Sequence, residues 1–314
     1  MANAPSADAA DVAADNPVVE VVPAFVDLYP GNELTSDDAD ALTLRSPVHL
    51  VVFAGAAESG KTTVLASIYD RLNGGPFAGF QFAGSRSLLG FEQICYLNRV
   101  ASGGTRPDTS RTVPSDEAAY YHLALRGAEP GAKRRHVLLS AISGELFRLA
   151  RNSREDCERL TFLHRANTIV VLVDGARLVV PAQRTIAQSE PSSILESFLD
   201  AKMIGSQCRV ELVFSKLDLI VEAGDAAMEF MDTTESKLKA KFGDRVPHLA
   251  FRRIAARPQI EPCEGTMNDG LAAALVAWTT PTIGEMLVLP QDAPPKEARE
   301  FAKYGWRQSA RRES

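Results

Sequence analysis

The stretch Gly55-Ala56-Ala57-Glu58-Ser59-Gly60-Lys61-Thr62 decides how this chain is read. An apolar run, Val48 to Phe53, leads into it, and a run of helical character, Thr62 to Leu72, leads out. Strand, glycine-punctuated loop and helix, with G-x-x-x-x-G-K-[ST] at the joint, form a phosphate-binding arrangement. The chemistry accounts for each residue type. Gly55 and Gly60 let the backbone fold tightly, so that successive N–H groups converge on an anion. The helix that follows turns its positive end toward the same point. Lys61 is placed to reach the outer phosphates and the Thr62 hydroxyl to bind Mg²⁺, with Ser59 and Thr63 flanking them in the same joint. A plain glycine turn would not explain why lysine and threonine follow the second glycine.

Working outward, 314 residues with 45% apolar and 24% charged side chains have room for a sizeable globular core. The net charge of −6 gives no sign of general nucleic-acid binding. Cys95, Cys157, Cys208 and Cys263 are scattered, with neither a metal-ligand spacing nor a C-x-x-C pair, and are expected to be reduced. No apolar run is long enough to cross a bilayer, and the N-terminus lacks a charged-then-apolar leader pattern; the expectation is a cytoplasmic protein.

The small, acidic residues 1–17 are expected to be disordered, with 18–46 an N-terminal extension that is loop-like around Asp37, Asp38 and Asp40. A domain is expected over 47–282. It carries a helical insertion around 77–101, where Arg86 to Val100 reads as an amphipathic helix. Tyr120 to Leu125 and His136 to Ala141 read as an antiparallel hairpin. Its turn holds Lys133, Arg134 and Arg135, a solvated surface. Helix is expected over Glu145 to Arg165, Ser192 to Ile204, Ala226 to Phe242 and Asp269 to Trp278. Buried strand is expected over Thr168 to Val173, Arg209 to Phe214 and His248 to Ile254. Strands alternating with helices indicate an α/β fold with a mostly parallel, doubly wound sheet, to which the hairpin adds one antiparallel edge strand. Residues 283–314 read as a mobile tail. Its Phe301, Tyr304 and Trp306, interleaved with Lys303, Arg307, Arg311 and Arg312, suit folding back, docking on a partner or, least of all, stacking with nucleic acid.

This order of elements resembles the Ras-like phosphate-loop GTPase fold over roughly residues 48–280. Ser215-Lys216-Leu217-Asp218, at the end of a strand, looks like the family's [NT]-K-x-D guanine motif, with Ser215 in place of Asn or Thr. The resemblance implies that Asp218 accepts hydrogen bonds from guanine N1–H and the exocyclic amine, with Lys216 along the base. Ala255, after the last strand, stands where the family's base-supporting loop offers a backbone N–H. Gly144 fits the glycine of the family's D-x-x-G motif, which contacts the terminal phosphate. The Asp of that motif is replaced by Ala141, and Glu145 stands where many members orient the attacking water. Losing that carboxylate implies that nucleotide and Mg²⁺ can bind while hydrolysis is slowed. Between the first helix and the hairpin, Arg106-Pro107-Asp108-Thr109 resembles a cis arginine followed by a metal-binding threonine. Thr112 is an equal candidate for that threonine, and Thr105 a third.

The enlarged segment at 86–100, the missing Asp and the Ser-Lys-Leu-Asp form together resemble the bacterial double-GTPase proteins of the TRAFAC class. That resemblance implies GTP and Mg²⁺ as ligands, with a second GTPase-like protein or an effector as partner in a multi-gene conflict or defence system. Three readings stay open here: a slow GTPase switch, a GTP-binding module without turnover, and an ATPase in which Asp174 binds Mg²⁺ as a Walker B carboxylate.

Overall fold

The computed structural model describes residues 31–96, 118–129, 131–140, 144–258 and 270–281. The central strands are β1 (Val48–Ala54), β5 (Thr168–Asp174) and β6 (Arg209–Ser215). All seven residues of β5 are buried, as expected for a strand covered on both faces. The remaining strands are β2 (Phe80–Phe82), β3 (Tyr120–Gly127), β4 (Arg134–Ser140) and β7 (Leu249–Arg253). They form one sheet in the order β2-β3-β4-β1-β5-β6-β7. The run β4 to β7 is parallel, with Val51 opposite Leu139 on one side and Thr168 on the other. β3 runs against both β4 and β2. Among the described residues it is the single opposed strand, one place in from the border, because the short aromatic β2 pairs outside it.

Alternation along the strands feeds two cores. Val51, Phe53, Val170 and Leu172 meet α2 (Lys61–Gly74), α3 (Leu88–Cys95) and α10 (Leu271–Thr279). There Trp278 packs edge-on to Phe53, with ring centroids 5.3 Å apart. Val52, Ala54, Ile169, Val171 and Val173 meet the opposite layer. That layer includes α1 (Ser36–Thr43), α4 (Gly144–Asn152), α5 (Arg154–Glu158), α7 (Arg184–Asp200) and α9 (Asp225–Phe242). Each fully buried Leu, Ile, Val or Phe contributes roughly 1.5–3 kcal/mol. Two short helices, α6 (Gly175–Val179) and α8 (Leu217–Glu222), sit at the carboxyl ends of β5 and β6.

Three local expectations change. The acidic stretch expected as loop forms α1, because Thr35 and Asp38 close a reciprocal capping box: Asp38 N–H donates to Thr35 Oγ1 (3.2 Å) and Thr35 N–H to Asp38 Oδ2 (3.1 Å). The single helix expected over 145–165 is broken. Ser153 stops α4, caps α5 by accepting from Asp156 N–H, and a separate 3₁₀ turn covers Thr161–Arg165. α7 begins at Arg184 and runs through Pro191, whose ring is buried in the helix, instead of starting after it. The tails, and residues 97–100 of the expected 86–100 helix, lie outside the described residues.

Candidate functional site

The carboxyl ends of β1, β5 and β6 converge where the sheet order turns from β4 to β5 around β1, the place where open α/β sheets bind ligands. The Gly55–Thr62 loop leaves β1 at that point. Gly55 and Gly60 have φ of 153° and 99°, conformations that favour glycine. Glu58 is also left-handed, with φ 66°. No side chain caps the start of α2, whose N-cap is Gly60, and the leading amides of a helix are the donors that an anion seeks. Lys61 turns its ammonium onto the loop itself, donating to Gly55 O and Ala56 O at 2.8 Å each. Burial pushes its pKa down to about 8, partly offset by the nearby Glu190 carboxylate. Thr62 and Thr63 follow in the first turn, half-buried.

The Ser59 hydroxyl is buried, without a hydrogen-bond partner among the described residues. An added Cβ on Gly55 would sit 2.8 Å from that oxygen. What Ser59 presents to neighbours is main chain, and its carbonyl accepts from Ser215 Oγ at 2.8 Å. Ser215 therefore ties the end of β6 to the phosphate loop, with Val173 O a second acceptor at 3.2 Å. Lys216 has a left-handed backbone (φ 53°) and donates from Nζ to Glu58 O at 2.8 Å. Asp218 is half-buried in the first turn of α8. Leu217 N–H donates to Ile254 O at 3.0 Å, which brings the buried Ala255 alongside the same turn.

Gly144 opens α4 directly against the loop. A Cβ there would lie 2.5 Å from Ala57 N and 2.8 Å from Ala56 C, contacts that only glycine avoids. Beside this contact is a cavity of about 200 Å³, walled by Ala56, Ala57, Gly144, Arg148, Arg177 and Glu190 among others. Arg148, Arg177 and Glu190 come from α4, α6 and α7; no motif in the sequence marks them. A larger cavity, about 730 Å³, lies between α1, α4 and α5 and contains none of the phosphate-loop residues. The Glu145 side chain, Arg106, Thr109 and Thr112 lie outside the described residues; the backbone of Glu145 follows Gly144 in α4. Among the described residues, no three His, Cys, Asp or Glu side chains are grouped to hold a metal ion. Cys157 and Cys208 are buried thiols pushed up to about 11 and about 12 by desolvation.

A phosphate loop at the switch point of a mostly parallel sheet, laced to a strand-end Ser-Lys-Leu-Asp, defines a Ras-like phosphate-loop nucleotide-binding protein. Residues 49–279 match the Double-GTPase 2 family. The chain belongs to that family and, as a member, is a GTP-binding protein. No curated protein matches the sequence. Solved structures of similar fold include the signal recognition particle receptor SRb-GTP/SRX complex from Chaetomium thermophilum: 13% identity, TM-score 0.38, covering 69% of this chain and 94% of that one. The S. cerevisiae Ski7 GTPase-like domain bound to GTP is 11% identical with TM-score 0.43, covering 77% and 51%. The Arl6 BBS3 small GTPase from Trypanosoma brucei is 12% identical with TM-score 0.39, covering 74% and 95%. These are distant likenesses of fold.

Proposed function

We propose that this protein is a nucleotide-dependent switch that binds GTP with Mg²⁺, hydrolyses it slowly and signals its state through α4. The observation that carries this reading is the packing of Gly144 on Ala56 and Ala57. The first residue of a helix that faces another core touches the loop that would hold the terminal phosphates. A third phosphate beside Ala57 must either bond the Gly144 N–H or displace it, so the start of α4 answers to what is bound. The base end rests on Asp218, whose carboxylate suits the paired donors of guanine and meets no such pair on adenine.

The donor set suits phosphate first and metal second. Lys61 and the uncapped start of α2 fit a polyphosphate. A Mg²⁺ ion would be held by the Thr62 hydroxyl and the phosphates, joined by Thr109 or Thr112. With Ala141 in place of a carboxylate, the outer shell of that ion is thin. This supports slow turnover with Glu145 and Arg106 as the residues that assist it. The family resemblance supports a second GTPase-like protein or an effector as the partner, in a bacterial multi-protein system of the defence kind and in the cytoplasm.

Competition of labelled GTP with excess GTP, GDP and ATP, followed by single-turnover hydrolysis, tests this reading. The expected result is displacement by guanine nucleotides alone and a slow but measurable phosphate release. Asp218→Ala should relax the base preference by about tenfold for each ~1.4 kcal/mol lost. Equal displacement by ATP would overturn the guanine assignment. Absence of phosphate release, alone and with a partner, would reduce the protein to a binding module.

A further inference from the structure

Asp174 ends β5 with a carboxylate only 5% exposed, and a buried carboxylate must be paired. Its Oδ1 lies 2.9 Å from Lys216 Nζ and accepts from Ala176 N–H at 3.1 Å. Its Oδ2 is 3.5 Å from Arg177 Nε. The same Lys216 ammonium donates to Glu58 O in the phosphate loop at 2.8 Å. Close approach of the two strand ends makes this possible: a Cβ on Gly175 would fall 2.1 Å from Ser215 O. From the far side, Arg177 Nη1 is held at 2.6 Å by Glu190 Oε2, in the wall of the cavity beside Ala57 and Gly144. Alternating charges thus run from the strand-end motif, Lys216 to Asp174 to Arg177 to Glu190, to the wall beside the phosphate loop.

We propose that Asp174 is a positioning residue of the nucleotide site: it clamps Lys216 against the phosphate loop and ligates no metal. This rests on the GTP-binding reading above and deepens it. A lysine stem with one neutral acceptor keeps much of its freedom; a second acceptor that is charged and buried fixes the ammonium in one place. Lys216 has a left-handed backbone, and its stem crosses to the loop carbonyl of Glu58. The clamp sets the spacing between the Ser-Lys-Leu-Asp turn and the loop, and so the spacing between base and phosphate contacts. A divalent ion at Asp174 would have to displace Lys216 and would then sit beside the Arg177 guanidinium. The geometry therefore speaks against a Walker B role for this carboxylate.

The test uses the full chain and fluorescent GDP and GTP, each titrated in Mg²⁺ and in EDTA. Asp174→Asn keeps the shape and removes the charge. Lys216→Met removes the clamped group, and the double variant removes both charges together, which covers the case of a single variant that folds poorly. Asp174→Asn is expected to weaken GDP and GTP equally, by about tenfold, and by the same factor with and without Mg²⁺. In the Lys216→Met background the Asp174→Asn change is expected to add nothing further. A loss seen only with Mg²⁺ would make Asp174 a metal ligand and overturn the proposal. Full additivity with Lys216→Met, or unchanged affinity in Asp174→Asn, would overturn it as well. Failure of the wild type to bind either nucleotide would strike the GTP reading itself, whereas a normal wild type with an unaltered Asp174→Asn variant would strike only the clamp.

Discussion

Two polar clusters stand at opposite ends of the sheet, and they are built on opposite principles. At the amino end of β6, Glu211 is wholly buried and fully engaged. Its Oε2 accepts from Arg252 Nε at 2.8 Å and Trp278 Nε1 at 2.7 Å, while Oε1 takes Arg252 Nη2 at 3.3 Å and lies 3.9 Å from Arg209. That cluster is closed: it joins β6, β7 and α10, and its carboxylate is matched by donors from its own chain. At the carboxyl end the matching is incomplete. Lys61 falls back on main-chain carbonyls, no side chain caps α2, and the Ser59 hydroxyl is buried without a partner among the described residues. A buried hydroxyl without a partner costs about 1–3 kcal/mol, and the fold carries it directly under the phosphate loop. The closed cluster serves stability; the other is where the proposed nucleotide site lies.

The largest effect expected from this contrast is at Lys61. Lys61→Ala should weaken GTP binding by roughly a thousandfold, about 4 kcal/mol, while leaving the thermal midpoint of the nucleotide-free protein within a few degrees. Isothermal calorimetry and a melting curve read both quantities on one sample. A large drop in stability would mean that the lysine belongs to the fold as much as to the site. Glu211→Ala should do the reverse. It strands Arg252 and the Trp278 N–H in a poorly solvated place, and urea unfolding should show a loss of about 3 kcal/mol. GTP affinity of the folded fraction should be unchanged; a shift would show that the two ends of β6 are coupled.

The same contrast explains what was legible beforehand. The phosphate loop, the buried run of β5 and the strand-end Ser-Lys-Leu-Asp are contiguous, and contiguous patterns carry their own geometry. Gly144 stands out in the sequence by motif spacing, whereas its close packing on Ala57 appears only in the fold. α1 was missed because three aspartates suggested loop, although Thr35-x-x-Asp38 is a capping box in plain view. The helix expected from Ser192 begins eight residues earlier, at Arg184, and holds Pro191 inside it, where tertiary packing overrides a poor helix former. The Lys216–Asp174–Arg177–Glu190 chain was not legible at all. It depends on a left-handed lysine and on strand neighbours that only the sheet order brings together. The Ser215 hydroxyl serves the loop, and no pattern in the sequence shows it: which way a short side chain turns is decided by tertiary contacts.

A smaller effect follows from the Lys61 pKa of about 8. Below that pH the ammonium is present and binds phosphate without proton exchange. Above it the free protein has lost the proton that the complex needs, so GTP affinity should fall by up to about tenfold per pH unit, with proton uptake on binding. The sign is opposite for the empty fold, since losing the proton between about 8 and the ordinary lysine range relieves a buried charge and favours the folded state. Affinity titrations at pH 7, 8, 9 and 10 should show this bend in the wild type. A bend that survives in Lys61→Arg, where the charge no longer titrates, would assign it to another group.

The smallest expected effect lies farthest from the nucleotide. Thr35→Ala removes the hydroxyl half of the α1 capping box and should cost about 1 kcal/mol of unfolding free energy. Its value is as a probe of where the site ends. Ala39 of α1 and Leu146 and Leu149 of α4 line the same 730 Å³ cavity, and α4 begins at the phosphate loop. If α4 moves as a unit when the terminal phosphate leaves, loosening α1 should lower stability equally in the GTP-bound and GDP-bound forms only if α1 does not follow α4. Equal losses, read by urea unfolding at saturating GTP and saturating GDP, are the expected result. A loss that differs between the two nucleotides would place α1 within the moving element and extend the open region from the loop to the far side of that cavity.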